Sequence, residues 1–433
     1  MRDFARSDSP EVQAQLDRLA ALSLPQGRFG LDTIRALLAE LGDPHWSLPP
    51  VFHVAGTNGK GSTCAFLRAA LEAAGLRVHV FTSPHLVRYN ERIRIAGELV
   101  SDPLLASLLA EVLDAAEASG LAPSFFEVTT AAAFLAFARE PADACVIEVG
   151  LGGRFDATNV LDRIAASGIA SLGIDHEAFL LAPEDGAPDI PLARIAFEKA
   201  GIVRPGSPLV TLAYPPEAAS EVQRAARIAG APLHMRGRDW DAAAGAVIEY
   251  RDRHGALTLP LPALPGAHQA ANAALAVAML RHQDRITVSQ DALAEAMARA
   301  EWPARLQKLA AGPLRDLAGA REVWLDGGHN PDAGAAIASH FAGQPLHLVL
   351  GMLVNKNPSA LVAPLASSIA SLQAVDVPGH EAHGAEAFGD GAIAAPDVAE
   401  ALRALPNDDL PVLIAGSLYL AGDVLRRNGQ FPD

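Results

Sequence analysis

Cysteine is nearly absent from this chain of 433 residues, basic charge is scarce, and no apolar run is long enough to cross a bilayer. Each shortage excludes something. With only Cys64 and Cys145, one beside a glycine-rich stretch and one inside an apolar segment, a disulfide framework is excluded. Both thiols read as small core residues of a protein from a reducing, cytoplasmic compartment. Lys and Arg number 34 against 50 Asp and Glu, a net charge of −16, which argues against a nucleic-acid or acidic-membrane partner. A polyanionic ligand still fits if positive charge is gathered locally. The start of the chain, Met1-Arg-Asp-Phe-Ala-Arg6, lacks the apolar region of a secretory signal. What is abundant is apolar: half of all residues, enough at this length for two or three domains with cores of their own.

The stretch that carries most chemistry is Val51-Phe-His-Val-Ala-Gly-Thr-Asn-Gly-Lys-Gly-Ser-Thr63. Val51 to Val54 can form a buried strand, Gly56 and Gly59 permit backbone conformations that bare amide groups, and Ser62-Thr63 opens a helix. Free amides at a helix N-terminus favour an anion, and Lys60 adds a point charge. The usual phosphate-loop pattern is Gly, four residues, Gly-Lys, then Ser or Thr. Here Val54 stands at the leading Gly position and Gly61 where the hydroxyl belongs, leaving Gly56-x-x-Gly59-Lys60-x-Ser62. The alternative is a plain glycine turn between a strand and a helix. The lysine favours a specialised nucleotide site.

Around this loop the periodicity predicts alternating helices and strands. Leu16, Leu19 and Leu22 predict a helix over 11–24, broken by Pro25-Gln26-Gly27, and Ile34 to Leu41 a second that stops at Gly42-Asp43-Pro44. A strand over 77–82, helices over 103–118 and from Phe126 to Phe137, and a strand over 144–149 follow. This order implies a parallel α/β sheet, whose ligands gather beyond the C-terminal strand ends. The polar residues of 82–95 then form either a ligand-facing loop or a solvated basic one. Glu148 is the one carboxylate of an apolar strand. It is either a Mg²⁺ ligand beside bound phosphates or a core residue paired with an arginine. Gly150, Gly152 and Gly153 allow a tight turn that could deliver Arg154 and Asp156 to a ligand. A strand over 169–174 would place Asp175-His176 at a similar position, and the acidic loop 181–190 has no assigned chemistry. Pro191 can start a helix that Gly201 ends, with Lys199 covering apolar surface by its stem. A strand over 208–212, a helix over 217–228, a hairpin around Arg253-His254-Gly255 and a helix over 291–300 complete this part. His268 and Asn272, four apart on one helix face, either meet a ligand or form a core contact.

Alternation restarts after Trp302-Pro303, which predicts two domains, 1–298 and 299–433. The second has strands over 321–325, 346–350, 372–377 and 412–415, a helix over 397–405, and polar turns at strand ends, chiefly Asp326-Gly-Gly-His329-Asn330-Pro331. Two such domains would form a cleft in which Arg305, Asp326 and His329 reach a nucleotide.

Eight blocks in order closely resemble the folylpolyglutamate synthase and dihydrofolate synthase family of Mur-ligase-like ATP-dependent amide ligases. They are His53–Thr63, Thr82–Leu86 with Glu91-Arg92, Phe126-Glu127-x-Thr-Thr130, Glu148–Asn159, Asp175-His176, Glu198–Ile202, Asp326–Pro331 and Gly416-Ser-Leu-Tyr419. The resemblance spans nearly the whole chain. It implies a P-loop-containing, Mur-ligase-like α/β domain bearing the pterin or folate site, and a second, smaller Rossmann-like α/β domain contributing nucleotide and glutamate contacts. It implies joining of L-glutamate to dihydropteroate, and to tetrahydrofolate and its polyglutamates, through an acyl phosphate made from ATP, by a cytoplasmic monomer of bacterial bifunctional type.

By the same resemblance Gly56, Thr57, Asn58, Gly59, Lys60 and Gly61 hold ATP phosphates, and Ser62 and Glu148 hold one Mg²⁺. Glu148 and His176 are ligands of a second Mg²⁺, with Lys199 in carbamylated form. Lys60, Glu148, His176 and Lys199 make the catalytic set. Asn272, Arg305, Asp326 and His329 match nucleotide contacts, while Ser83, Pro84, His85, Arg88, Phe126, Arg154 and Asp156 fall where substrate contacts are expected. The chain departs from the family pattern in a longer, more acidic segment over 179–190, in Ala304 where Gly is common, and in Asn357 where Asp is common. The remaining readings are a polyglutamylase alone, a related ligase acting on another carboxylate, and a nucleotide-dependent switch.

Overall fold

The computed structural model describes residues 6–22 and 30–433, so the break expected at residues 25–27 lies outside it. Two units form. The first comprises the described residues up to Pro84, Tyr89–Ala263 and Ala270–Glu301; the second comprises His85–Arg88, Leu264–Gln269 and Trp302–Asp433. Two short pieces of the first 300 residues thus belong with the second unit, which no linear division of the chain provides.

The first unit is built on eight strands: β1 (Val51–Ala55), β2 (Val78–Phe81), β3 (Ile93–Ile95), β4 (Glu98–Leu99), β5 (Ala144–Glu148), β6 (Ile164–Ile169), β7 (Leu209–Thr211) and β8 (Leu233–Met235). Their spatial order is β4-β3-β2-β5-β1-β6-β7-β8. β1 is central, parallel to β5 and β6, with Val54 opposite both Glu148 and Gly168. Every residue of β1 and β5 is buried, as continuous apolar runs require when helices cover both faces of a sheet. The loops leaving the C-terminal ends of β2, β5, β1 and β6 are therefore neighbours.

Helices pack against this frame by their apolar sides. Pro10–Ala20, Asp32–Glu40, Asp102–Ser119 and Phe125–Arg139 share one core with the sheet. The last begins with a capping box, Ser124 and Glu127 each satisfying the other's backbone amide, a device worth about 1 kcal/mol. Phe134 and Phe137 on that helix are fully buried, each contributing roughly 2 kcal/mol. Pro191–Ala200 and Pro216–Ala229 enclose a smaller core with Ile169, Leu209 and Met235. A hairpin-based sheet follows: β9 (Trp240–Ala244), β10 (Ile248–Asp252) and β11 (Gly255–Leu259), antiparallel throughout.

Three expectations change. The stretch 82–95 is not a loop throughout: Tyr89–Arg92 forms a short 3-10 helix and β3 pairs antiparallel with β2, giving the otherwise parallel sheet an antiparallel edge. Nor is it a solvated basic segment. Arg92 is 1 % exposed, its guanidinium over the Tyr89 and Phe125 rings, and Arg94 donates to the Gly97 carbonyl at 2.6 Å. The strand expected over 169–174 instead ends at Ile169: the Ala170 amide still donates to the Ala55 carbonyl at the end of β1, but from Ser171 onward the backbone pairs with the phosphate loop. β9 was not anticipated; its Trp240 stacks on Tyr250 across the pairing.

The second unit has a six-stranded sheet, β12 (Gln307–Lys308), β13 (Val323–Asp326), β14 (Leu346–Leu350), β15 (Ile369–Val375), β16 (Ala392–Ala395) and β17 (Val412–Ala415). The order is β12-β13-β17-β14-β15-β16, parallel except at β12. Asp326 is the last residue of β13, and Pro331 starts the helix Pro331–Phe341.

Candidate active site

The glycine loop connects β1 to the helix Lys60–Ala73. Gly59 is the residue preceding that helix, with φ of +82°, a left-handed conformation that costs other residues roughly 1–2 kcal/mol. A Cβ there would lie 2.3 Å from Oδ1 of Asn272, so the site demands glycine on both counts. Asn272 itself is 4 % exposed. The helix has no side-chain cap, so its first amides are left to other acceptors.

The outer edge of the loop is stapled from the segment that follows β6. The Thr57 amide donates to the Ser171 carbonyl at 2.7 Å, and the Ser171 hydroxyl donates to the Asn58 carbonyl at 3.2 Å. The Thr57 hydroxyl donates to the Gly173 carbonyl at 2.9 Å and accepts from the Gly173 amide at 3.1 Å. Ser171 escaped the sequence reading. Its part depends on a neighbour more than a hundred residues away, and only its place after a strand beside the loop could have suggested it.

Two lysines converge on one carbonyl. Lys199 Nζ donates to Gly56 O at 2.9 Å and Lys60 Nζ to the same oxygen at 3.2 Å. Burial, reinforced by the charge of Lys60, pulls the Lys199 ammonium down to about 7, so its amine is readily neutral. Lys199 is thus no surface-covering side chain: it is 4 % exposed and aimed at the loop. Ser62 lies in the first turn of the Lys60–Ala73 helix and is 3 % exposed. Glu148 ends β5, is 4 % exposed, and its Oε2 accepts from the Ser83 amide at 3.2 Å. His176 has φ of +54° and precedes the short helix Glu177–Leu180, and its amide donates to Asp175 Oδ1.

The candidate substrate residues divide. Phe126 lies beside Phe81, and a Cβ on Gly150 would sit 2.4 Å from its ring. Asp156 is buried and organises its own turn, accepting from the Leu151 amide at 2.8 Å and from the Thr158 amide at 3.0 Å; burial pushes its carboxyl upward. Arg154 is committed to carboxylates. It meets Glu184 through Nη1 at 3.0 Å and Nη2 at 2.5 Å, and Glu198 through Nη2 at 2.8 Å. Burial opposes its charge, but the bonds to Glu198 and Glu184 outweigh that and hold its pKa above the ordinary value. Hydrogen bonding to Arg154 in turn lowers Glu184 to about 2. Ser83 and Pro84 belong to the first unit, His85 and Arg88 to the second, where Arg88 donates to the Pro432 carbonyl.

In the second unit Asp326 and Arg305 are brought together. Asp326 Oδ2 accepts from the Leu306 amide and Oδ1 from the Gly328 amide, which fixes the turn that carries Arg305. His329 Nδ1 lies 3.3 Å from the Gly327 carbonyl.

No family model matches the chain. It is, however, 32 % identical over 426 residues to the dihydrofolate synthase/folylpolyglutamate synthase of Bacillus subtilis, a match that covers 92 % of this chain and 94 % of that protein. The chain belongs to the folylpolyglutamate synthase/dihydrofolate synthase family. Among solved structures, Escherichia coli FolC in complex with DHPP and ADP is 31 % identical, with a TM-score of 0.83 and 98 % of each chain covered. A bifunctional member with Mn, AMPPNP and L-glutamate bound is 30 % identical, with a TM-score of 0.81 and 97 % of this chain and 98 % of that one covered. The fold is therefore the Mur-ligase-like α/β fold of that family. The chain spans about half the length of two haloarchaeal relatives that it also matches, proteins named for both folylpolyglutamate synthase and dihydropteroate synthase.

Proposed function

We propose that this protein joins L-glutamate to dihydropteroate, forming dihydrofolate, and to tetrahydrofolate and its polyglutamates, at the expense of ATP. It is an ATP-dependent amide ligase of its family. The observation that carries the reading is the convergence of Lys60 and Lys199 on the Gly56 carbonyl of an uncapped helix-terminal loop, beside the end of β5 that bears Glu148.

The substrate carboxylate attacks the γ-phosphorus of ATP, ADP leaves, and the acyl phosphate forms. The amino group of L-glutamate then attacks the acyl carbon, phosphate departs with its bonding electrons, and the amine loses a proton. Charge on the phosphoryl group in transit is met by the Lys60 ammonium and the loop amides, and the Asn272 side chain lies close behind Gly59. Phe126 and the Gly150–Asp156 turn border the acceptor; Arg305, Asp326 and His329 are the nucleotide contacts of the second unit. Ser83 and Pro84, with His85 and Arg88, belong to the segment that attends the substrate.

The donors present fit Mg²⁺. Among the described residues no three His, Cys, Asp or Glu side chains are close enough to hold a metal ion. Mg²⁺ typically uses one or two carboxylates and completes its shell with water and substrate phosphates, so the buried Glu148 and the Ser62 hydroxyl are a suitable protein share. His176, and Lys199 as a carbamate, would serve a second ion. Bound Mg²⁺ supplies charge neutralisation at the phosphates. No helix among the described residues is long and apolar enough to cross a membrane, and the two free, buried cysteines support a reducing cytoplasm as the working compartment.

The test is a paired assay with ATP, Mg²⁺ and L-glutamate, offering dihydropteroate in one reaction and tetrahydrofolate in the other. Amide product in both is expected. Product from tetrahydrofolate alone reduces the protein to a polyglutamylase, and product in neither overturns the reading.

A further inference from the structure

The acidic loop 181–190 forms a partly buried ion-pair square with residues on two other elements, in which Arg194 and Glu198 are buried and Arg154 and Glu184 half-buried. Glu184 on this loop and Glu198 on the helix Pro191–Ala200 each bind both Arg154, on the glycine turn after β5, and Arg194, on the same helix. The Arg194 side chain also donates to the carbonyls of Leu180 and Ala182, drawing in the start of the loop. Phe197 lies under the guanidinium groups of Arg154 and Arg194, at 4.7 and 5.5 Å, and Phe155 under Arg154 at 4.1 Å. Backbone packing is equally close. The Arg154 amide donates to the Glu198 carbonyl, and a Cβ on Gly153 would fall within 3 Å of the Glu198 and Lys199 carbonyls. The same turn begins at Gly150, against the Phe126 ring.

Two carboxylates and two guanidinium groups balance in charge, and most of their surface is out of water. Such a group is costly to leave incomplete, because removing one member strands charge in a poorly solvated place. Loss of Glu184 would leave two guanidinium groups around one carboxylate, and they would push the turn and the helix apart. The turn borders Phe126, so the displacement acts first on the acceptor side; the phosphate loop, which meets this helix at Lys199, keeps its own bonds to Ser171 and Gly173.

We infer that Glu184 is a positioning residue for the acceptor, locking the Gly150–Asp156 turn to the Lys199 helix and so setting affinity for the pterin-bearing carboxylate. This rests on the ligase reading above. In Glu184→Gln the KM for tetrahydrofolate rises about tenfold, while kcat and the KM for ATP stay within about twofold of the unaltered enzyme. Glu184→Asp, which keeps the charge, recovers most of the loss. Hydrogen exchange over 150–156 and 181–190 quickens in Glu184→Gln. An unchanged acceptor KM, or a fall in kcat accompanied by equal changes in both KM values, overturns the inference. If the unaltered protein makes no amide product, the ligase reading fails by itself. Hydrogen exchange then still decides the lock: unchanged protection in Glu184→Gln overturns it, and quickened exchange upholds it.

Discussion

Both units carry a glycine-containing turn between a parallel strand and a helix, yet the two turns use their backbone in opposite ways. After β13, the turn satisfies itself: Asp326 accepts from Gly328 and Leu306, and Asn330 caps the helix by accepting from the Ala333 amide at 3.0 Å. After β1, no side chain caps the helix; Gly59 precedes it, and Ser171 takes up the outer rim. The difference separates a turn that is finished from one built to receive an anion. Glycine content is shared, so it does not discriminate. The absence of a cap together with a lysine at the first helical position does.

That contrast can be broken most forcefully at Lys60. Lys60→Ala should lower kcat for amide formation by about 100-fold or more, while the unfolding midpoint stays near that of the unaltered protein. An active Lys60→Ala enzyme would remove the loop from the chemistry. Gly59→Ala comes next. The positive φ and the approach to Asn272 predict a loss of roughly 2–3 kcal/mol in unfolding free energy, with weakened ATP binding in a fluorescence titration. Thr57→Val tests the staple alone: losing its two hydrogen bonds to Gly173 should destabilise by roughly 1–2 kcal/mol and raise the KM for ATP more than that for the acceptor. The smallest effect belongs to the finished turn. Asn330→Ala should cost about 1 kcal/mol in chemical denaturation, as loss of a helix cap does, with nucleotide affinity changed less than in Gly59→Ala. A reversed order for these two variants would mean that the capped turn is the more sensitive binding element.

The phosphate loop was legible in the sequence because its demands are local: a positive φ at Gly59, a lysine one residue later and an apolar run before them leave few alternatives. Helix starts at Pro191 and Pro331 were legible for the same reason, since proline's missing donor and restricted φ suit that place. The solvated-loop alternative for Arg92 and Arg94 could not be dismissed from sequence, because charge predicts exposure unless aromatic rings and a carbonyl are known to stand opposite. The Arg154 square was hidden for a related reason. Its partners lie 30 and 44 residues along the chain, and an arginine's sequence neighbours do not disclose which carboxylate folding will bring to it. The end of β6 was misplaced because Ala170 to Gly173 look apolar enough to continue a strand, whereas the backbone groups of Ser171 and Gly173 pair with Thr57 and Asn58.

The carbonyl shared by Lys60 and Lys199 gives nucleotide capture the character of an exchange. Lys60 arrives at the phosphate from an existing partner, so binding trades one oxygen acceptor for another instead of recruiting an idle, fully hydrated ammonium. Gly56 meanwhile keeps Lys199, so the swap leaves no stranded acceptor behind. The heat released on binding should accordingly be smaller than the number of new phosphate contacts suggests, and the return swap gives departing ADP a ready competitor within the protein itself.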